Sequence, residues 1–319
     1  MRSLFANLVL AAAMMLAAPV LVGSASAAEP LVDVEWAKAN INRPGVVFLD
    51  VRSGGGVSKE AYQAEHMPGA IFTDYAKDGW REKINGVEGM LPPPEKVAKL
   101  IGSLGIDNNT HVVLVPLGRA AIDMGAATRI YWTFKVMGHD NVSILDGGYQ
   151  AWTKDIDPAT KKPVNPLSSG GVELPPTTFV PHFRKDMIVD RNEVKKAMEA
   201  GVTLIDNRPN DFYLGLSVSP AAKRAGTIPG AKNLQESWLT KNNGGSFRSK
   251  AQLASLYKQA GVPVEGEQIA FCNTGHWASL GWFVSSEILG NKNVKLYDGS
   301  MAEWSQHPEL PMEQKFKLD

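Results

Sequence analysis

Cys272 is the one cysteine among 319 residues. It opens the stretch Cys272-Asn273-Thr274-Gly275-His276-Trp277-Ala278-Ser279, directly after the apolar run Gln268-Ile269-Ala270-Phe271. A mostly apolar segment, Leu280 to Leu289, comes next. That order reads as strand, loop, helix. In an open α/β sheet, ligands bind beyond the carboxyl ends of the strands. A loop entering a helix there points backbone N–H groups inward, and those groups with the helix dipole favour an anion. A thiolate in such a cradle is a competent nucleophile. The same N–H groups can hold a transferred sulfur or an anionic substrate. Gly275 lets the loop turn tightly without a Cβ clash. His276 offers a hydrogen bond, or a positive charge near neutral pH. Thr274 offers its hydroxyl to a ligand or a cap to the helix. Trp277 suits packing better than contact, and Asn273 and Ala278 complete the loop. The competing reading of a lone cysteine is a small buried apolar residue.

Other chemistries fit less well. The six histidines are scattered, with no ligand-like spacing to one another or to Cys272, so no metal is expected. The run Gly54-Gly55-Gly56 is not followed by the Gly-Lys-Ser/Thr of a phosphate loop. A cysteine-based phosphatase or arsenate reductase needs an arginine at the end of its loop to clamp an oxyanion. Residues 273–279 contain none.

The elements that must position the loop follow from the alternating pattern. Gly45 to Asp50 and Val202 to Asp206 are short apolar runs ending in Asp, the look of buried parallel strands. Asp190-Arg191-Asn192-Glu193 starts a helix with Val194, Ala197 and Met198 on one face and Gly201 as its stop. Ser249 to Gln252 has the form of a capping box, with a helix running toward Gly261. Strands alternating with helices of this length give an α/β fold with parallel sheets covered on both faces.

The pattern occurs twice. Val32-Asp33, Val47-Phe48-Leu49-Asp50-Val51-Arg52 and His66-Met67-Pro68-Gly69-Ala70 lead to Leu145-Asp146-Gly147-Gly148 and Trp152. Val189-Asp190, Thr203-Leu204-Ile205-Asp206-Asn207-Arg208 and Thr227-Ile228-Pro229-Gly230-Ala231 lead to Tyr297-Asp298-Gly299-Ser300 and Trp304. A period this long marks a duplicated domain. The expected division is an export signal at 1–28, a first copy at 29–156, a linker at 157–180 and a second copy at 181–319. The linker is rich in Pro, Ser, Thr and Gly, which favours an extended, stiff connection. The first copy has no cysteine. Its strand His111 to Val115 ends in Pro116-Leu117-Gly118-Arg119.

Asp50-Val51-Arg52 with His66-Met67-Pro68-Gly69-Ala70, then Asp206-Asn207-Arg208 with Gly226-Thr227-Ile228-Pro229-Gly230-Ala231 and the Cys-x-x-Gly loop at Cys272, resemble the tandem-domain rhodaneses. These are thiosulfate:cyanide sulfurtransferases. The resemblance covers almost all of the chain beyond the signal, and its strength lies in the same order of motifs occurring twice. It implies two rhodanese-like domains and a ping-pong reaction without a cofactor. Cys272 takes the outer sulfur of thiosulfate as a persulfide, releases sulfite and passes the sulfur to a thiophilic acceptor. It also implies that the first domain is inactive and helps to wall the cleft. Asp206 and Arg208 either orient and support the active loop or form a structural ion pair. The first copy keeps Asp50 and Arg52 without a nucleophile, which favours the ion pair. Arg224 either meets an anionic substrate or is a solvated surface charge.

Two departures bear on the substrate. Many thiosulfate rhodaneses carry Arg or Lys in the loop, where this chain has only His276. Mercaptopyruvate sulfurtransferases have a more neutral loop, but also an arginine where Phe212 stands here, and often a histidine where Gly89 precedes Met90-Leu91-Pro92. A non-enzymatic relay for sulfur or selenium, with Cys272 as carrier for a redox or sulfur-relay partner, is the alternative.

Composition bounds the setting. Thirty-three basic and 33 acidic residues balance to zero net charge, with no long block of either sign. That argues against a nucleic-acid partner. Arg2, an apolar run from Leu4 to Val22 and Ser24-Ala25-Ser26-Ala27-Ala28 form the three parts of a secretory signal, with cleavage after Ala27 or Ala28. The run is nearly long enough to span a bilayer uncleaved. No cysteine follows it to carry a lipid. The expectation is an exported, periplasmic protein without a membrane anchor after cleavage, in a compartment where a lone thiol is open to oxidation.

Overall fold

The computed structural model describes residues 28–52 and 58–316. The expected signal up to Ala27 and the Gly54-Gly55-Gly56 run lie outside the described residues. The first copy contains β1 (Leu31–Val32), α1 (Val34–Asn40), β2 (Val46–Asp50), α2 (Lys59–Ala64), β3 (Ile71–Phe72), β4 (Glu82–Ile84), β5 (Val87–Met90), α3 (Pro94–Ser103), β6 (His111–Val115), α4 (Ala121–Val136), β7 (Val142–Leu145) and α5 (Gly148–Thr153). The second contains β8 (Ile188–Val189), α6 (Arg191–Glu199), β9 (Thr203–Asp206), α7 (Asn210–Leu214), β10 (Lys232–Asn233), α8 (Lys250–Gln259), β11 (Gln268–Phe271), α9 (His276–Phe283), β12 (Val294–Tyr297) and α10 (Ser300–Trp304).

Each copy is built on one five-stranded parallel sheet, in the orders β1-β7-β6-β2-β3 and β8-β12-β11-β9-β10. The two orders correspond strand for strand, the structural form of the sequence repeat. The central strands read as apolar runs because both faces are covered by helices. An antiparallel hairpin, β4–β5, is additional in the first copy.

Local signals placed several boundaries. Asp190 caps α6 with a full capping box to Glu193, and Ser249 does the same for α8 with Gln252. The apolar run expected as one helix from Leu280 instead begins at His276, and after Phe283 it widens into a π-helical stretch, Val284–Leu289, ended by left-handed Gly290. The segment after Ile156 forms no helix or strand before Ile188 apart from one 3-10 turn. It runs along the first copy: Thr177 N–H donates to Gly102 O at 2.8 Å, and Phe179 is buried.

The copies share one core. Ile130, Tyr131 and Phe134 of α4 belong to the same buried cluster as Leu280, Trp282 and Phe283 of α9. Tyr131 meets Phe283 edge-on at 4.9 Å, and its hydroxyl donates to Glu287. At the crossing of α4 and α9, Thr128 Oγ1 lies 2.9 Å from Ser279 Oγ. A Cβ on Gly125 would stand 2.4 Å from His276 Nε2, so only glycine allows that approach. Among the described residues, no helix is long and apolar enough to cross a membrane.

Glu236 is an acid set against this core at evident cost. It follows β10, is buried, and its Oε2 has no hydrogen-bond partner. Burial, reinforced by Asp211 and Asp206, pushes its pKa from 4.5 to about 7. The folded protein therefore holds a proton that the unfolded chain releases, and stability falls as pH rises from 4.5 to about 7. Glu236→Gln removes that slope. Chemical unfolding should find the variant more stable than the parent by about 1–3 kcal/mol at pH 8 and near parity at pH 4.5. An equal difference at both pH values would contradict the assignment.

Candidate active site

Cys272 sits at the carboxyl end of β11, almost fully buried beneath the surface of a cavity. Its loop is stitched to the start of α10. Cys272 N–H donates to Ser300 Oγ at 3.1 Å, Met301 N–H to Cys272 O at 3.0 Å, and Ala302 N–H to Asn273 O at 2.9 Å. Ser300 holds a left-handed φ of 48° while its hydroxyl donates to Tyr297 O. A non-glycine residue there is strained, and the strain places Oγ under the cysteine amide. Gly275, with φ of 75°, occupies the N-cap of α9, as expected of a tight turn.

The first copy repeats this stitching without the thiol. Tyr149 N–H donates to Pro116 O and Gln150 N–H to Leu117 O. Pro116 therefore stands where Cys272 stands.

A buried ion pair locks the two copies at the loop. Arg129, on α4 and fully buried, donates from Nη2 to Asp298 Oδ1 at 2.5 Å. The other carboxylate oxygen of Asp298 accepts from Leu91 N–H at 2.7 Å. Arg129 Nη1 reaches Gly275 O at 3.3 Å, and a Cβ at Gly275 would lie 2.2 Å from that nitrogen. Arg81 adds a second tie, from Nη2 to Thr274 O at 2.8 Å and from Nε to Gly89 O at 3.1 Å.

The cavity has a volume of about 500 Å³. Cys272, Asn273, Thr274, His276 and Trp277 line it from the second copy, while Arg52, Tyr75, Arg81, Leu117, Arg119, Ile122 and Asp123 line it from the first. The expected role of the first copy as a wall of the cleft is thus visible in the lining. Among the described residues, no group of His, Cys, Asp and Glu gathers as a metal site.

Several expected roles change. His276 does not bring a positive charge. Its Nε2 donates to Ile122 O at 3.0 Å, and its Nδ1 accepts from the Tyr75 hydroxyl at 3.0 Å. Burial, with the nearby Arg81 cation, lowers its pKa to about 3, so the ring is neutral at physiological pH. Both ring nitrogens are engaged across the copies, and His276 acts as a brace. Thr274 does not cap α9; its carbonyl holds Arg81, while the residue lines the cavity. Trp277 packs as expected and also makes contact: partly buried against the shared core, it lines the cavity, and its ring lies 6.4 Å from that of Phe212. Asn273 is buried and Ala278 packs inside α9.

Arg224 is corrected outright. Its guanidinium donates to the carbonyls of Trp304, Ser305, His307 and Leu310, which fastens the turn after α10. It does not line the cavity with Cys272. Asp206 and Arg208 form a buried ion pair at 2.6 Å, with Arg208 donating to Gly226 O and Asp206 accepting from Thr227 Oγ1. Asp206 pairs in register with Phe271, so it supports the strand beneath the loop. Asp50 and Arg52 repeat the pair at 2.8 Å, with Arg52 donating to Glu65 O. Both copies therefore carry the same buried ion pair at the end of the corresponding strand.

Sequence reasoning missed Tyr75, Arg81, Arg119, Arg129, Asp298 and Ser300. Arg119 had a signal: it follows the strand that corresponds to β11, in the loop that corresponds to the cysteine loop.

Comparison with known proteins gives two matches to the rhodanese-like domain, over residues 33–155 and 190–307. A Mycobacterium tuberculosis protein named "Putative thiosulfate sulfurtransferase" is 34% identical over 290 residues, 89% of this chain and 97% of that one. A Haloferax volcanii protein of the same name is 31% identical over 299 residues, 90% of this chain and 97% of that one. Among solved structures, SseA from Escherichia coli, described with the 3-mercaptopyruvate sulfotransferases, superposes with a TM-score of 0.73 at 26% identity, covering 86% of this chain and 99% of that one. Tum1 from Saccharomyces cerevisiae has the same fold, with a TM-score of 0.74 at 22% identity, covering 90% and 98%.

The ion pair carries a prediction. Asp298→Ala leaves the Arg129 guanidinium buried and unpaired, which costs about 3–5 kcal/mol. The urea midpoint should fall accordingly. Adding Arg129→Met removes the orphaned charge and should recover more than half of the loss. A loss below about 1 kcal/mol from Asp298→Ala alone would show that the pair does not hold the copies together.

Proposed function

This chain belongs to the rhodanese-like sulfurtransferase family, and from that premise we propose that it moves sulfane sulfur from thiosulfate to a thiophilic acceptor through a persulfide on Cys272. The observation that carries the reading is the position of this single thiol at a strand's carboxyl end, facing a cavity walled by both copies. The Cys272 thiolate attacks the outer sulfur of thiosulfate. A new S–S bond forms to Cys272, the old one breaks, and its electron pair leaves with sulfite. Cyanide or a thiolate then attacks the outer sulfur of the persulfide, and the thiolate of Cys272 is released. No redox partner is needed to balance either step. The N–H groups opening α9 and the fixed charge of Arg81, held at Thr274 O, favour the anionic forms that Cys272 passes through.

Two features weigh against mercaptopyruvate as the donor. Phe212 packs toward Trp277 and offers no cation. At Gly89, a Cβ would fall 2.0 Å from Arg81 Nη2, so a histidine there would displace Arg81 from the loop. We also propose that the chain is exported by the signal read at its start, and that the mature protein begins at Ala28 or Glu29.

Two measurements test these readings. Purified protein should form thiocyanate from thiosulfate and cyanide, Cys272→Ala should form none, and 3-mercaptopyruvate should be the poorer donor. Turnover of neither donor by a folded protein with a titratable thiol would turn the reading toward a sulfur or selenium relay serving a protein partner. Intact mass of the protein recovered from its native host should match a chain starting at residue 28 or 29; an intact leader would contradict cleavage.

A further inference from the structure

We infer that Arg119, from the cysteine-less copy, binds the anionic end of the sulfur donor. The inference rests on the proposed sulfurtransferase reading and names a specificity residue for it. The loop leaving β6 and the loop leaving β11 open onto the same cavity, so the counterpart of the cysteine loop faces the cysteine itself. The second copy brings no cation to that cavity: residues 272–279 contain no Lys or Arg, and His276 is neutral with both nitrogens engaged. Positive charge must come from the first copy.

Of its three lining arginines, two are committed. Arg52 is buried against Asp50 and Glu65 O, and Arg81 is held by Gly89 O and Thr274 O. Arg119 differs. Its side chain is 50% exposed, and among the described residues its nearest charged contact is a loose one, Nε to Asp123 Oδ2 at 3.5 Å. That carboxylate oxygen already accepts the backbone N–H groups of Arg119 and Ala120, at 2.9 and 3.3 Å. An exposed pair of this kind gives way at little cost, and a guanidinium can grip a sulfonate or carboxylate through two parallel hydrogen bonds. A cavity of about 500 Å³ leaves room for a donor spanning from Arg119 to Cys272. The chemical class is a small sulfane donor with an oxyanion at its far end, thiosulfate being the simplest.

The test uses the full chain. Calorimetric titration of thiosulfate into Cys272→Ser protein measures binding without turnover. Adding Arg119→Ala should weaken it about tenfold, the loss expected for one charge-assisted pair, and Arg119→Lys should lose less. With Cys272 intact, Arg119→Ala should lower the preference for thiosulfate over neutral dimethyl trisulfide, read as kcat/KM ratios of Cys272-dependent thiocyanate formation with cyanide, by a similar factor. A merely structural role would depress both donors together and leave the ratio unchanged. Unaltered thiosulfate binding, an unaltered ratio, or no thiosulfate binding by the Cys272→Ser parent overturns the inference. Failure of the sulfurtransferase reading looks different: the Cys272→Ser protein would bind thiosulfate in an Arg119-dependent way, yet the chain with Cys272 intact would form no persulfide.

Discussion

The site depends on one buried contact, the ion pair between Arg129 of the first copy and Asp298 of the second. A charge taken out of water is costly, and a buried pair rarely adds net stability over an apolar replacement. What it supplies is geometry. Arg129 extends from Asp298 to the carbonyls of Gly275 and Gly89, so a single guanidinium fixes the turn after Cys272 against β5. Asp298 closes the arrangement by accepting Leu91 N–H. If either member moves, the turn at Gly275, the approach of α9 to α4 and the opening of the cavity move with it. The cavity at Cys272 lies at an interface that neither copy could form alone.

Duplication explains why such an interface can exist. Both copies end the corresponding strand beside an Asp–Arg pair and fasten the following loop by the same two backbone hydrogen bonds. The scaffold that holds a cysteine loop is therefore present also in the copy where Pro116 stands in the place of Cys272. Its helix α4 has become the surface on which α9 packs. The contact between Thr128 and Ser279 and the bare backbone of Gly125 record how close that packing is.

What could be read from the sequence was what is decided locally. The capping boxes at Asp190 and Ser249, the strand before Cys272 and the turn at Gly275 all rest on residues within a few positions of one another. The Asp206–Arg208 pair was legible through the repeat, since Asp50 and Arg52 recur where there is no chemistry to serve. Arg224 was misread because its partners, Trp304 to Leu310, lie some 80 residues further on. His276 was legible as a hydrogen-bonding group but not in its charge, for a related reason. In its own loop it is a histidine beside a cysteine, but its partners, Tyr75 and Ile122, come from the other copy, and their enclosure removes its charge. Only the folded interface contains that information.

The neutrality of the cysteine loop then has a physical reason. A cation within residues 273–279 would sit beside the carbonyls of Thr274 and Gly275, where Arg81 and Arg129 already bind. Two like charges at that spacing in a partly desolvated site repel more strongly than in water. Positive charge is delivered instead through side chains anchored on the opposite copy, fixed in Arg81 and Arg129 and adjustable in Arg119. On the proposed reading, this separates two demands that conflict in a single loop. The loop must stay still to present Cys272, whereas the group that greets the donor must yield to let it in. Placing the still part on one copy and the yielding part on the other meets both, and the cysteine-less copy becomes half of the site.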